Sequence, residues 1–478
     1  MPPARAVTAQ DSAFLDGLVR CAVAALLLAN AAVGYADSDI WGHMSIGLDT
    51  LRQGHLLRVD PYSFTHDQVW VNHEWLWEVA TAWLYQRGGL GALLVMRAVL
   101  IGLVLWLVDR ATRQAPGWVR LVTLCLVAID CVGQWRSTRP QIASLAFYAV
   151  LLTNIEAWWL PALFGLWANV HAGWLIGLVA LGSRALVIRN RRTSTLAVLS
   201  VIATLLNPYG VGLWTATIGG LVRSRGFTDL TEWSPVWALS AGQDTLWLWL
   251  ATAVAIVAIS RRVRFGWWEI AWTCATMVAA ANTRRLLAFA AVTAAMVVVA
   301  RYEPPCTPVR VVWTPARRAV AAALAGILLV VALVQVRPGL TCFPPLTAWN
   351  APEPGAVAFL RATPVSRAVV HFDFGEYAIF HLRDRLRVSV DNRHYTVYSN
   401  AALEASDRFV AGHDPDYPDR IGADAVWLFR DNAVPLKQME ERGWHRRFDG
   451  PRTVILLREA GPVVRGEWNG ATPCFPNP

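Results

Sequence analysis

Long apolar stretches separated by short polar knots fill the first 337 residues of the chain. Runs near 18–36, 90–108, 119–134, 141–157, 158–170, 173–188, 194–206, 245–260, 266–281, 286–300 and 318–336 approach the roughly 20 residues an α-helix needs to cross a bilayer. They predict eleven transmembrane helices. The first is expected to stay in place as an anchor, because Asp11 and Asp16 precede it and no small-residue cleavage site follows.

Two breaks in this pattern predict other structure. Between the first two runs lies a polar loop, 37–88, with two helical stretches. In 43–53, Met44, Leu48 and Leu51 fall at i, i+4 and i+7 before Gly54, which predicts an amphipathic helix on the membrane surface. Asn72 is the expected N-cap of the second, whose apolar face carries Leu76, Val79, Ala80, Trp83 and Leu84. From 338 to 478 short apolar runs at 368–372, 387–391, 425–429 and 453–457 alternate with helical stretches at 353–362, 375–382, 399–412 and 433–443. That alternation predicts an α/β domain with one sheet. The expected organisation is an α-helical polytopic membrane domain, 1–337, followed by an α/β domain, 338–478.

Composition agrees with the membrane reading. Of 478 residues 55% are hydrophobic and 16% charged, against about a quarter charged in soluble proteins. The 25 tryptophans suit aromatic belts at two interfaces. The net charge of +9 comes from arginine, since Lys437 is the one lysine. Its distribution argues against nucleic acid as a partner. Arg110/Arg113/Arg120, Arg184/Arg189/Arg191/Arg192, Arg261/Arg262/Arg264 and Arg301/Arg310/Arg317/Arg318 all fall in connections on one side, provided 141–170 makes two crossings with a turn near Pro161. By the positive-inside rule that side, with the N-terminus, is cytoplasmic. The 338–478 domain is then expected outside an inner (plasma) membrane. There, Cys342 and Cys474 flank it and are expected to pair.

With this parity the remaining polar motifs gather on the outer face: 37–78, 136–141, 169–171, 207–210, 223–237 and 282–285. Asp37, Asp39 and Glu74 supply carboxylates at the interface, where a base is needed to deprotonate an acceptor hydroxyl. Asp39 is the expected base, because His43 follows at i+4 and shares its helix face. Arg136, Arg139 and Arg285 are the candidates for a donor phosphate. His43, His73, His171 and Glu232 are the candidates for substrate contact. Helix capping by the acids and snorkelling by the arginines are the structural alternatives. Asn207-Pro208-Tyr209-Gly210 reads as a helix end and turn. Asp391-Asn392-Arg393-His394-Tyr395 sits at a strand end, either as a ligand loop or a hydrogen-bonded structural one. His73-Glu74 lacks the second histidine of an HExxH motif. No metal or cofactor is expected to be required. A divalent cation among Asp37, Asp39, His43, His73 and Glu74 is the alternative.

The motifs DSDIWGH, VDPYSFT, NHEWLWE, RPQ, NVHAGW, NPYG, EWSP and FGEYAIFHL…VSVDNRHYTVY resemble those of bacterial multi-pass proteins of the GT-C glycosyltransferase class. The nearest characterised branch is that of the protein O-mannosyltransferases and lipid A aminoarabinose transferases. The resemblance implies a polyprenyl-phosphate-linked sugar as donor, a glycan, lipid or protein acceptor, and an inverting transfer. It casts Asp37 and Asp39 as the acidic pair and Glu74 as the second acid. The chain departs from that branch at Asn72-His73-Glu74-Trp75-Leu76, which lacks the lysine of the corresponding motif. A transporter or flippase for lipid-linked saccharides, and a non-catalytic subunit of a polysaccharide assembly system, remain the other two classes that fit.

Overall fold

A computed structural model describes residues 34–224, 233–238, 243–303, 339–346, 351–466 and 474–477, with scattered positions at 23–25 and 314–334. The expected crossings at 18–36 and 318–336, the boundary at 337, and Glu232 lie wholly or mainly outside the described residues.

The first described helix, α1 (Ser38–Gln53), begins five residues before its expected start. Asp37 is its N-cap, its Oδ1 accepting the Ile40 N–H at 3.1 Å, and Gly54 ends it with φ 72°. The next helix, α2 (Trp75–Ala111), joins the second loop helix to the following apolar run, with a kink at Gly88–Gly89. Gly89 has φ 57°, which a residue with a side chain rarely adopts. Asn72 does not cap α2 directly. Its Oδ1 accepts the Glu74 N–H at 3.1 Å, and Glu74 occupies the N-cap position.

The bundle continues through α3 (Gly117–Trp135), α4 (Gln141–Thr153), α5 (Leu160–Val170), α6 (Trp174–Ile188), α7 (Arg191–Ala203), α8 (Val211–Ser224), α9 (Gln243–Ser260) and α10 (Trp267–Asn282). α11 (Leu287–Thr293) runs on through a π-helical turn to Val298. Among the described residues, α2 and α3 are long and apolar enough to cross a membrane, while α4, α5, α6 and parts of α8 and α9 are shorter apolar helices. Val104, Leu124, Tyr148, Trp167, Trp272 and Phe289 fill the centre of the bundle. Val95, Val99, Ile129, Val179, Leu186, Val254 and Val278 cover its outside, a surface suited to lipid.

α4 and α5 are separate helices that reverse direction after Asn154, as the arginine argument required. Gln141 at the start of α4 and His171 at the end of α5 face the same cavity. Near the opposite end Arg184 reaches Glu156 (2.8 Å), and Glu269 pairs with Arg301. Exposed tryptophans fall toward both ends, with Trp106, Trp118, Trp158, Trp159 and Trp267 at this end and Trp83, Trp237 and Trp247 toward the cavity.

The C-terminal part is a six-stranded mixed sheet in the order β2-β1-β3-β5-β4-β6. The strands are β1 (Arg367–Val370), β2 (Arg387–Val388), β3 (Ala425–Phe429), β4 (His445–Asp449), β5 (Thr453–Leu457) and β6 (Val464–Arg465). β1 pairs in parallel with β2 and β3, and β5 lies antiparallel between β3 and β4. β4 and β6 were not expected. The sequence His445-Arg446-Arg447-Phe448-Asp449 buries only Phe448 and carries little apolar signal. Helices α12 (Pro354–Ala362) and α13 (Gly375–Leu382) cover one face, and α14 (Asn400–Val410), α15 (Tyr417–Arg420) and α16 (Ala433–Glu441) join the other. Val426 and Leu428 point to the second layer, while Ala425, Trp427 and Phe429 point to the first. Cys342 and Cys474 are joined in a disulfide.

One core runs from this sheet into the first loop. Trp41 of α1 is fully buried, its ring 5.1 Å from that of Tyr377 and 5.0 Å from that of Phe475. α13 packs on the apolar face of α1 that lipid was expected to cover. Gly42 makes the contact close: a Cβ there would collide with the Glu376 carboxylate, which accepts the Gly42 N–H at 3.1 Å.

Candidate active site

The end of the bundle that meets the C-terminal sheet holds two adjoining cavities. One, of about 1350 Å³, is an apolar groove between helices, walled by Leu175, Ile176, Val179, Trp272, Ala279 and Phe289. The other, of about 270 Å³, is a polar chamber under the C-terminal domain that includes Asp39, Glu78, Arg139, Glu376, Asn392 and His394. His73, Glu74, Gln141, Trp233, Arg285, Tyr395 and Thr396 line both. Polar segments from five connections and from the sheet thus converge at one junction.

The first turn of α1 sets the acids apart. Asp37 is buried, its Oδ2 accepts from Arg139 Nε, and it faces neither cavity. Asp39 opens into the chamber with its side chain 27% exposed. Its Oδ2 lies 3.1 Å from Arg139 Nε, and its Oδ1 accepts from Ser38 Oγ (3.2 Å) and Asn392 Nδ2 (3.3 Å). A carboxylate so placed has room to meet a ligand hydroxyl. Asp37 has both oxygens committed.

Glu74 stands at the junction, ringed by imidazoles. Its oxygens lie 3.4 Å from His73 Nε2, 3.7 Å from His43 Nε2 and 3.7 Å from His171 Nε2. Behind it the buried Glu78 receives Asn72 Nδ2 at 2.5 Å and meets His43 Nδ1 at 3.3 Å. Burial pulls His43 toward neutrality, but the Glu78 hydrogen bond and the charges of Glu74, Glu78 and Asp39 outweigh it and hold the imidazole at about 9. His73 is likewise raised, burial being overcome by Glu74. Burial pushes the Glu74 carboxyl up, yet His73 and His43 together hold it well below the usual carboxylate range. His171 goes the other way, to about 3, because burial dominates and the Glu74 charge does not compensate. Its Nδ1 accepts the Gly173 N–H (3.0 Å) and meets Ser144 Oγ at 2.7 Å, which leaves the proton on Nε2 facing Glu74.

Of the expected phosphate ligands, Arg285 lines both cavities with its guanidinium 5.3 Å above the Trp233 ring. Arg139 lines the chamber but is tied to Asp37 and Asp39. Arg136 is not brought to the site. It is exposed, lines neither cavity, and sits 5.9 Å over Tyr35. Asn169 of the same cluster fastens segments together, accepting from Trp75 Nε1 (2.9 Å) and donating to Leu206 O (2.8 Å). Asn207 closes the turn at Gly210. No group of three or more His, Cys, Asp or Glu among the described residues is arranged to hold a metal ion.

Sequence reasoning missed Glu78 and Glu376. It flagged the 391–395 strand end, and that segment divides between both roles considered for it. Arg393 is structural, buried between Asp391 (2.7 Å) and Asp60 (2.7 Å), whereas Asn392, His394 and Tyr395 face the site.

Solved structures share this fold. The oligosaccharyltransferase of Archaeoglobus fulgidus in its apo form superposes with a TM-score of 0.56 over 94% of this chain and 75% of its own, at 12% identity. The fold is GT-C-like. ArnT from Cupriavidus metallidurans, solved with undecaprenyl phosphate, gives 0.50 over 96% of this chain and 100% of its own at 13% identity. The mycobacterial arabinofuranosyltransferase AftD gives 0.50 over 95% of this chain and 40% of its own at 12% identity. At such identities the likeness speaks for the fold. No protein-family model and no curated protein matches the sequence.

Proposed function

We propose that the protein is a multi-pass membrane glycosyltransferase that moves a sugar from a polyprenyl-phosphate donor to an acceptor hydroxyl on the outer face. The observation that carries this reading is the meeting of an apolar groove and a polar chamber at Glu74 and Arg285. A polyprenyl-phosphate sugar has the same order of parts: an apolar chain, an anion and a polar ring. The chain occupies the groove, the phosphate meets Arg285 near His73 and protonated His43, and the sugar enters the chamber.

Asp39 takes the proton of the acceptor hydroxyl as its oxygen bonds to the anomeric carbon. The anomeric carbon–phosphate oxygen bond breaks, and polyprenyl phosphate leaves with the electron pair. Attack opposite the leaving group inverts the anomeric centre. Asp37 acts at one remove by capping α1 and holding Arg139, while Glu74 draws His43 and His73 toward their charged forms. His171 completes the sugar contacts. No cofactor enters the scheme, and the acceptor is a glycan, lipid or protein hydroxyl.

The test is a proteoliposome assay with polyprenyl-phosphate sugar labelled in the sugar. The reading expects label in a glycoside, with one polyprenyl phosphate released per sugar moved. Intact labelled lipid appearing in the opposite leaflet without glycoside formation would replace it with the transporter reading.

A further inference from the structure

The C-terminal domain contributes a wall of the chamber that the transfer chemistry does not by itself require. The turn after β2 carries Asn392, His394, Tyr395 and Thr396 onto the chamber, opposite Asp39 and Glu74. Three features fix this turn. Arg393 anchors it between Asp391 and Asp60, both almost wholly buried. The Tyr395 ring packs on the backbone of α8, where a Cβ at Gly220 would strike it. His394 has φ 47°, an uncommon backbone state for a residue with a side chain, and its ring lies 4.3 Å from that of Phe372. Strain of this kind persists only where the surroundings impose it, and it gathers at ligand sites.

The side chains presented there suit one class of ligand. Asn392 donates to Asp39, while its Oδ1 is buried and receives no hydrogen bond from the protein. A buried acceptor of this kind calls for a donor from a ligand. Phe372, Tyr395 and Trp233 add aromatic rings around it. Burial, reinforced by the charges of Asp39 and Asp391, holds the Glu376 carboxyl well above its usual range, which favours the protonated form that can both donate and accept. Paired donors and acceptors beside aromatic faces match a sugar, whose ring offers hydroxyls at its rim and C–H groups on its faces. A peptide acceptor would gain from an open strand edge. The outer edge of β2 is already taken, with Val388 N–H bonded to Tyr62 O (3.0 Å) and Phe64 N–H to Val388 O (3.2 Å).

We infer that the chamber wall formed by Asn392, His394 and Tyr395 is the acceptor subsite, and that the acceptor hydroxyl belongs to a saccharide. The inference rests on the proposed glycosyl transfer and names its acceptor class. Asn392 then bridges the acceptor and Asp39, so the residue that selects the sugar also orients the base.

Saturation-transfer NMR on the full chain in nanodiscs tests it, with methyl hexopyranosides and methyl pentofuranosides as probes and a Gly-Thr-Gly amide run in parallel. The expected result is transfer to ring protons of at least one glycoside, reduced fivefold or more in Asn392→Ala, with none to the peptide. Asn392→Leu, which keeps the volume and removes the amide oxygen, takes its place if the alanine variant fails to fold. Signal from the peptide alone, no glycoside signal above empty nanodiscs, or a glycoside signal unchanged in the folded variant overturns the inference. Donor turnover is measured on the same preparation. If turnover persists while glycosides fail, the acceptor class falls and sugar transfer stands; if turnover is absent, the underlying reading falls.

Discussion

The proton on His43 lies between Glu74 and Glu78, and its retention to about pH 9 gives the site a pH dependence of known sign. An imidazole raised above its ordinary 6.5 contributes stability that is complete below that value and lost as pH rises through about 9. In the proposed complex the donor phosphate faces the same charge. Its KM is expected to rise as pH passes from 8 to about 10, and His43→Asn should flatten that rise. Initial rates across this range check it, and an unchanged donor KM in the wild type would contradict it. At this scale much was legible. Asp39, His43, His73, Glu74, Arg139, His171 and Arg285 are brought to the two cavities. Arg136 and Asp37 fall outside for a local reason. One residue of register in the first turn of α1 turns Asp37 into a cap, and Arg136 lies beyond the end of α3 on the exposed side. Glu376 and Asn392 reach the site through pairings over more than 300 residues of chain, which no local periodicity records.

Among the elements, α1 is the hinge of the argument because it joins bundle, chamber and sheet. Periodicity placed α3, α4, α5 and α6 within a few residues, and four of the six strands with them. It also showed an apolar face on α1, but an apolar face does not say what covers it, and α13 rather than lipid does so. β4 escaped because arginines and a histidine occupy most of its positions. The tie between loop and sheet is strongest at Arg393, whose side chain is 7% exposed between Asp60 and Asp391. Removing one partner of a buried ion pair leaves uncompensated charge and costs roughly 3–5 kcal/mol. Arg393→Met is therefore expected to lower the thermal midpoint of the purified protein by several degrees and to loosen the 391–396 turn. A midpoint equal to the wild type would show the network to be dispensable.

For the molecule as a whole, the alternation of helix ends and the apolar exterior support the proposed membrane arrangement, with arginine-rich connections at the end away from the cavities. A cysteine at exposed Glu404, with the other thiols blocked, is expected to react with an impermeant maleimide in intact cells, and one at exposed Arg191 is not. The reverse labelling would invert the topology. The central claim is that groove and chamber act as one catalytic site, with lipid phosphate at Arg285 and the base at Asp39. Steady-state kinetics of reconstituted protein, measured by polyprenyl phosphate release, separates the two ends. Asp39→Asn keeps its shape and is expected to lower kcat by about 100- to 10,000-fold, whereas Arg285→Gln is expected chiefly to raise the donor KM. Wild-type kcat in Asp39→Asn would contradict the account.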